Sequence, residues 1–132
     1  MSSFTFNIAK GRIVELFLSA PNGVVVLLES AQADSVLKKY ATLNALLAGG
    51  NTEAAHASYA RKTGIGGTVI VDNAIDVADV VLPSQTWVAL LGNPLVKALV
   101  CYQERVSGVI IPLTGHSIEV TPDGSNFTLN FP

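Results

Sequence analysis

The residues that could do chemistry are few. Asp72, Asp76 and Asp79 lie close together in the chain. Such a cluster could hold a divalent cation or supply paired carboxylates for acid–base work, but it lacks the ligand spacing and the glycine of a calcium loop. Acidic side chains on the solvent side of a hairpin need no further cause, and no metal is expected there. His56 and His116 are far apart in sequence, without the short histidine spacing of zinc sites. Ser84, His116 and Asp79 can be assembled on paper into a nucleophile, base and acid, yet no serine stands in a nucleophile elbow. Gly64-Ile65-Gly66-Gly67 would suit a phosphate loop only if Lys-Ser or Lys-Thr and a helix followed. These glycines run into a strand, so a turn or bulge is expected. The one cysteine, Cys101, lies in the apolar run Ala98-Leu99-Val100-Cys101-Tyr102, which reads as a buried thiol and rules out an intramolecular disulfide. Asn126-Phe127-Thr128 fits a glycosylation sequon, a pattern short enough to occur by chance. The expectation is therefore no catalytic residue, no cofactor-binding residue, no metal ligand and no enzyme activity.

Composition points toward contacts instead. Hydrophobic residues make up 49% of the 132-residue chain and charged residues 14%, against about 25% charged in an average soluble domain. A surface so poor in charge carries apolar patches, and permanent contacts with other chains are their natural explanation. The net charge of −2 supplies no electrostatic footprint for nucleic acid. The longest basic runs are the pairs Lys38-Lys39 and Arg61-Lys62, which read as solvated faces. The N-terminus has no charged-then-apolar signal pattern, and no stretch reaches the length of a membrane span. A soluble protein made in the cytoplasm, bound to no membrane, is expected.

The elements that would position these residues are mostly strands. Residues 1–20 read as an N-terminal arm and first strand, and residues 21–132 as a single β-sandwich domain. Phe4, Phe6 and Ile8 are too apolar to lie free in water, and the arm is expected to dock them on a neighbouring subunit. Ile13, Leu16 and Phe17 follow less regularly around Gly11. After the turn Pro21-Asn22-Gly23, the β-branched run Val24 to Leu28 suits a strand buried on both sides. The spacing of Val36, Leu37, Tyr40, Leu43 and Leu47 predicts one helix over about 34–48, capped by Asp34 and ended by Gly49-Gly50. Asn51 to Lys62 is ambiguous between helix and strand. Thr68–Val71 and Ile75–Leu82 suggest a hairpin through Asp72-Asn73-Ala74, with a bulge near Ala78. Trp87 reads as a core anchor. Leu95–Tyr102 and Gly108–Leu113 are further strands, and His116 follows Gly115 in a turn. Ile118–Val120 and Phe127–Phe131 suggest a C-terminal hairpin around Pro122-Asp123-Gly124. The fold class is mainly β, a β-sandwich or jelly-roll-like domain with one inserted α-helix.

Ser58-Tyr59-Ala60-Arg61-Lys62-Thr63, Gln85-Thr86-Trp87 and Lys97 to Tyr102 resemble a family of small structural proteins from tailed-bacteriophage genomes. Leu46 to Ala54, the hairpin Thr68 to Leu82, Val109 to Leu113 and Glu119 to Ser125 are similar to it as well, so the resemblance spans roughly residues 34–125. No residue in these motifs performs chemistry. The chain's end at Phe131-Pro132 departs from the short Ala- and Gly-containing tail expected of relatives. The resemblance implies a virion component, most simply a capsid decoration or cement protein at the virion surface. Its partners would be the major capsid protein and itself, as a homotrimer. The alternative is a tail, neck or fibre module that binds a partner or host receptor. That role needs an exposed aromatic or polar groove, and only Tyr40, Tyr59, Tyr102 and Trp87 could furnish the aromatics.

Overall fold

Val24-Val25-Val26-Leu27-Leu28 offers only apolar, mostly β-branched side chains, so a strand built from it must be covered on both faces. In a computed structural model, which describes residues 3–9, 22–72 and 77–130, this run forms β2 (Gly23–Ser30), and Val24 to Leu28 are all buried. Alternate residues serve opposite faces, as the period of a strand requires. Val24, Val26 and Leu28 join one core, and Val25 and Leu27 join the other.

The remaining strands arrange around β2. Its antiparallel neighbours are β8 (Leu95–Gln103) on one side and, on the other, the short β3 (Thr52–Glu53) and β4 (Lys62–Ile65). Beyond β8 lies β9 (Ile110–Val120), and the edge is β1 (Ser3–Thr5), paired with Thr114 to His116 of β9. Two antiparallel ribbons complete the strands among the described residues: β5 (Thr68–Asp72) with β6 (Val77–Val81), and β7 (Gln85–Trp87) with β10 (Phe127–Leu129). One face of the large sheet is covered by Phe6 and the helices α1 (Asp34–Leu37) and α2 (Leu43–Ala48). The other is covered by Trp87 and Leu129 of the β7–β10 ribbon, with Leu90 and Ala54. The fold is mainly β and antiparallel, a sandwich-like arrangement with helices added to one face.

The expected single helix is two. Leu37, Leu43 and Leu46 are fully buried, Tyr40 and Leu47 are half-buried, and Val36 is exposed. The break has a cause in neighbouring groups. The carbonyl of Lys38 accepts the backbone N–H of Asn7 at 2.8 Å, so an N-terminal segment takes the place of the next helical turn. Thr42 is extended (φ −136°, ψ 154°), and its hydroxyl accepts the Ala45 N–H at 3.2 Å, a β-branched cap starting α2 afresh. Asp34 is not the expected cap, since the residue before α1 is Ala33 and makes no side-chain cap bond. The exit at Gly50 (φ +100°) is left-handed as anticipated.

Three other expectations are corrected. The β5–β6 register runs from Thr68↔Val81 to Asp72↔Val77 without interruption, so no bulge occurs at Ala78; a side chain that small is tolerated on either face. The turn residues Asn73 and Ala74, and Asp76, lie outside the described residues. Gly115 and His116 form no turn, because β9 continues through them, held by β8 and β1 on either side. A Cβ on Gly115 would collide with the Phe4 ring, so the glycine serves close approach within a strand. Finally, β10 does not fold back on β9. The Gly124 N–H donates to the Leu90 carbonyl at 2.8 Å, and the Leu90 N–H to the Ser125 carbonyl at 3.2 Å. These bonds tie the 122–125 turn to the β7–β8 connection and carry β10 to β7, where the Phe127 and Trp87 rings stack at 5.8 Å.

Candidate functional site

The N-terminal segment proposed for intersubunit docking is built into its own chain. β1 adds an edge strand to β9, the Phe6 N–H continues the pairing by donating to the Leu113 carbonyl at 2.9 Å, and the Phe6 ring is fully buried. The Phe4 and Phe6 rings meet at 5.0 Å, and Phe4 and Ile8 are half-buried against the same core. The expectation that these three side chains face a neighbouring subunit is corrected for Phe6, whose apolar surface is wholly satisfied within the chain. Sequence patterning misses this because the partner strand lies more than a hundred residues away. Ile13, Leu16 and Phe17 lie outside the described residues.

Two polar networks stand beside the cores. In the first, the Lys97 ammonium, nearly buried, donates to Asp34 Oδ1 at 2.6 Å and Ser117 Oγ at 3.0 Å, and lies 5.5 Å from the Phe4 ring centroid. This is the work Asp34 does in place of capping. His116, on the adjacent strand, meets Thr114 Oγ1 at 3.0 Å, and burial followed by the nearby Lys97 charge holds its pKa below the usual imidazole value. In the second, Arg61 grips Glu53 with two parallel bonds, Nε to Oε2 at 2.9 Å and Nη2 to Oε1 at 2.8 Å. The Tyr59 hydroxyl donates to Glu53 Oε2 at 2.7 Å and accepts the Leu27 N–H at 3.2 Å. Burial alone would raise the Glu53 pKa, but the bonds from Arg61 and Tyr59 outweigh it and hold the carboxyl below its ordinary value. Burial, with the bond to Glu53 adding to it, pushes the Tyr59 phenol up.

The next residues along complete this second network. Trp87 Nε1 donates to the Ala60 carbonyl at 2.8 Å, and Lys62 Nζ stands 5.3 Å from the Trp87 ring centroid. Tyr59-Ala60-Arg61-Lys62 and Thr86-Trp87, the motifs on which the family resemblance rests, thus form a clasp between β4 and β7. Their work is to fasten the β7–β10 ribbon to the sheet. The motif was visible in the sequence, and Glu53 lay in the similar stretch Leu46 to Ala54, but nothing there marked it as the partner of Arg61 and Tyr59.

Two members of the paper triad are engaged in separate bonds: Ser84 Oγ donates to Asn130 Oδ1 at 2.6 Å, and His116 bonds Thr114. The side chains of Asp72 and Asp79 lie outside the described residues. Among the described residues no group of three or more His, Cys, Asp or Glu is placed to hold a metal ion, and no helix is long and apolar enough to cross a membrane. Cys101 is fully buried, and that burial pushes its thiol pKa up to about 12, so the thiolate needed for nucleophilic attack is suppressed. Gly64 takes a left-handed φ of +64° within β4, where the pairing with β2 shifts register, the bulge among the two outcomes, turn or bulge, expected of that glycine run. Of the aromatics a receptor groove would need, Trp87 and Tyr102 are buried, and the half-buried Tyr40 and Tyr59 give their hydroxyls to Gln32 and Glu53.

Among the described residues the exposed large apolar side chains include Val36 on α1, Val96 on β8 and two groups at opposite ends of the β8–β9 ladder. One is the tip joining the two strands, where Val106 is fully exposed and Val109 is 38% exposed. The other is the β7–β8 connection, with Val88 at 66% and Leu91 at 62%. Beside Leu91 a shallow groove of about 240 Å³ is lined by Glu29, Ala55, His56, Gly92 and Asn93. His56 forms its buried wall. Its Nε2 lies 2.9 Å from the Asn93 carbonyl, which can only accept, so that nitrogen carries the proton. A Cβ on Gly92 would collide with the imidazole, so the glycine lets the connection close over His56. Comparison of the chain with protein-family models, with curated proteins and with solved structures found no match.

Proposed function

We propose that the protein is a structural component of a tailed-phage virion, bound to the outside of the capsid as a homo-oligomeric decoration or cement protein that contacts the major capsid protein. The observation that carries this reading is the distribution of polarity. Glu53 with Arg61 and Asp34 with Lys97 form ion pairs within the chain, while Val88, Leu91 and Val106 stand in solvent. A surface arranged in this way gains by being covered, which is what an assembly component requires. The motif residues support the same reading, because in this chain they fasten the fold and leave the surface for contacts. A bound cement protein stabilises the shell through mass action, by adding contacts that exist only in the assembled state.

The test is made on particles. Capsids stripped of the protein should release their DNA at a lower temperature than decorated ones, and adding the purified protein back should restore the difference. A map of the intact particle should place the protein across the shell in numbers comparable to the shell subunits. Stripped and decorated particles that melt alike, or density confined to the tail in a few copies, would replace this reading with that of a tail or neck module.

A further inference from the structure

We propose that the chain self-associates head to tail, the β8–β9 tip of one copy seating in the Leu91 groove of the next. This deepens the homo-oligomeric part of the reading above and is independent of its capsid part.

The tip is prepared for insertion. Glu104 N–H donates to the Val109 carbonyl and Gly108 N–H to the Glu104 carbonyl, both at 2.9 Å, and Val109 N–H donates to Ser107 Oγ at 3.2 Å. Gln103 Nε2 reaches the Gly108 carbonyl at 3.3 Å, and Gly108 adopts the left-handed φ of +73° that closes the loop. The tip's backbone is thus fixed by its own bonds, and little ordering entropy is lost when it binds. It presents Val106 wholly to solvent with Arg105 beside it.

The groove offers the tip room, apolar side chains and a carboxylate. Its volume of about 240 Å³ exceeds the roughly 150 Å³ that accommodates a benzene-sized group, so a valine side chain and part of its neighbour fit. Leu91 and Ala55 offer apolar surface for Val106, and the Glu29 carboxylate offers an acceptor for the Arg105 guanidinium. Neither Arg105 nor Glu29 takes part in the ion pairs found among the described residues.

The occupant is a second copy because the tip cannot reach its own groove. The two lie beyond opposite ends of β8, nine residues long, and a strand rises about 3.3 Å per residue, which separates them by roughly 30 Å. A contact between two different patches is heterologous, so it propagates and closes into a ring such as a trimer when the rotation permits.

Sedimentation velocity over a dilution series of the purified full chain tests this. The wild type should sediment as an oligomer. Val106→Asp should raise the protein concentration needed for association about tenfold or more, with an unchanged circular dichroism spectrum because the side chain touches nothing in the monomer. Arg105→Glu should also weaken association, and combining it with Glu29→Arg should restore it, a rescue that a merely structural role would not produce. A wild type that stays monomeric throughout, or single variants that associate like the wild type, would overturn the proposal. So would a Val106→Asp protein that remains oligomeric but no longer binds capsids, because the tip's occupant would then be the shell. Oligomers that form as described but fail to bind capsids would leave the self-association standing and remove the decoration reading.

Discussion

The two faces of the central sheet are closed by different physics. Over the first, Phe6 of the N-terminal segment and Leu37, Leu43 and Leu46 of the helices settle on Val24, Val26, Leu99 and Leu113, an aliphatic surface closed by shape. Over the second, Trp87 and Leu129 lie on Val25, Leu27, Ala98 and Ile118, and the ribbon that brings them is held by the Trp87 Nε1 bond to the Ala60 carbonyl, next to the Tyr59–Arg61–Glu53 network. The first face depends mainly on filled volume, with the Asp34–Lys97 pair at its margin. The second stands beside the Glu53 carboxylate, which two neighbours hold ionised. Identical sheet strands can therefore answer differently to the same perturbation according to what covers them.

The largest effect should come from emptying the first face. Phe6→Ala should destabilise the chain by about 3–5 kcal/mol and Leu43→Ala by about 2–5 kcal/mol, from lost transfer energy plus the cavity left behind. Chemical denaturation at neutral pH measures both. Removal of residues 1–8 should be at least as costly as Phe6→Ala, because it also strips β1 from the edge of β9. A loss under roughly half a kcal/mol for Phe6→Ala would mean that the N-terminal segment is an appendage after all, and the contrast between the faces would disappear.

The second face should reveal itself through pH. Glu53 has its pKa below the ordinary 4.5, so the unfolded chain binds this proton more readily than the folded one. The stability it contributes is complete above about 4.5 and drains away as pH falls through the folded value. Glu53→Gln should cost about 1–2 kcal/mol at pH 7, from losing a charge-assisted pair that is only partly buried. The gap between wild type and variant should narrow in acid. His116, depressed below 6.5, has the same sign and begins to withdraw stability at higher pH, but it does so equally in both proteins. A gap that stays constant down to pH 3 would show that Glu53 acts through packing and not through charge.

Much of this was legible locally, and the illegible parts share a cause. The doubly buried run at Val24–Leu28, the β5 and β6 strands, the Trp87 anchor and the buried Cys101 all follow from neighbouring residues and the strand period. The course of β10 did not, because Pro122-Asp123-Gly124 makes a turn in either topology, and the choice rests on bonds to Leu90, far off in sequence. The role of Phe6 was hidden in the same way by Leu113. Of the proposed interaction surface, the low charge was readable, but the placement of Val106 at a tip and Leu91 at a groove needed the β8–β9 register. The clasp was half legible: its motif could be seen, its fastening function could not.

The smallest effect is the sharpest test of how the first face is assembled. A continuous helix over 34–48 would set Val36 on the same stripe as Leu37, Tyr40 and Leu43, and replacing it by a polar residue would then cost several kcal/mol. In the broken arrangement, the Lys38 carbonyl turns to Asn7 and Val36 is 42% exposed. Val36→Ser should therefore shift stability by no more than about half a kcal/mol, while Leu46→Ala, one turn into α2, should cost about 2–5 kcal/mol. Hydrogen exchange offers a second view of the same feature. The Thr42 N–H, which a continuous helix would bond to the Lys38 carbonyl, should exchange faster than the Leu46 N–H, which donates to the Thr42 carbonyl at 3.2 Å. Equal protection at the two positions, together with a large loss for Val36→Ser, would restore the single helix. It would also free the Lys38 carbonyl from Asn7, and with it loosen the case for the N-terminal segment as part of the core.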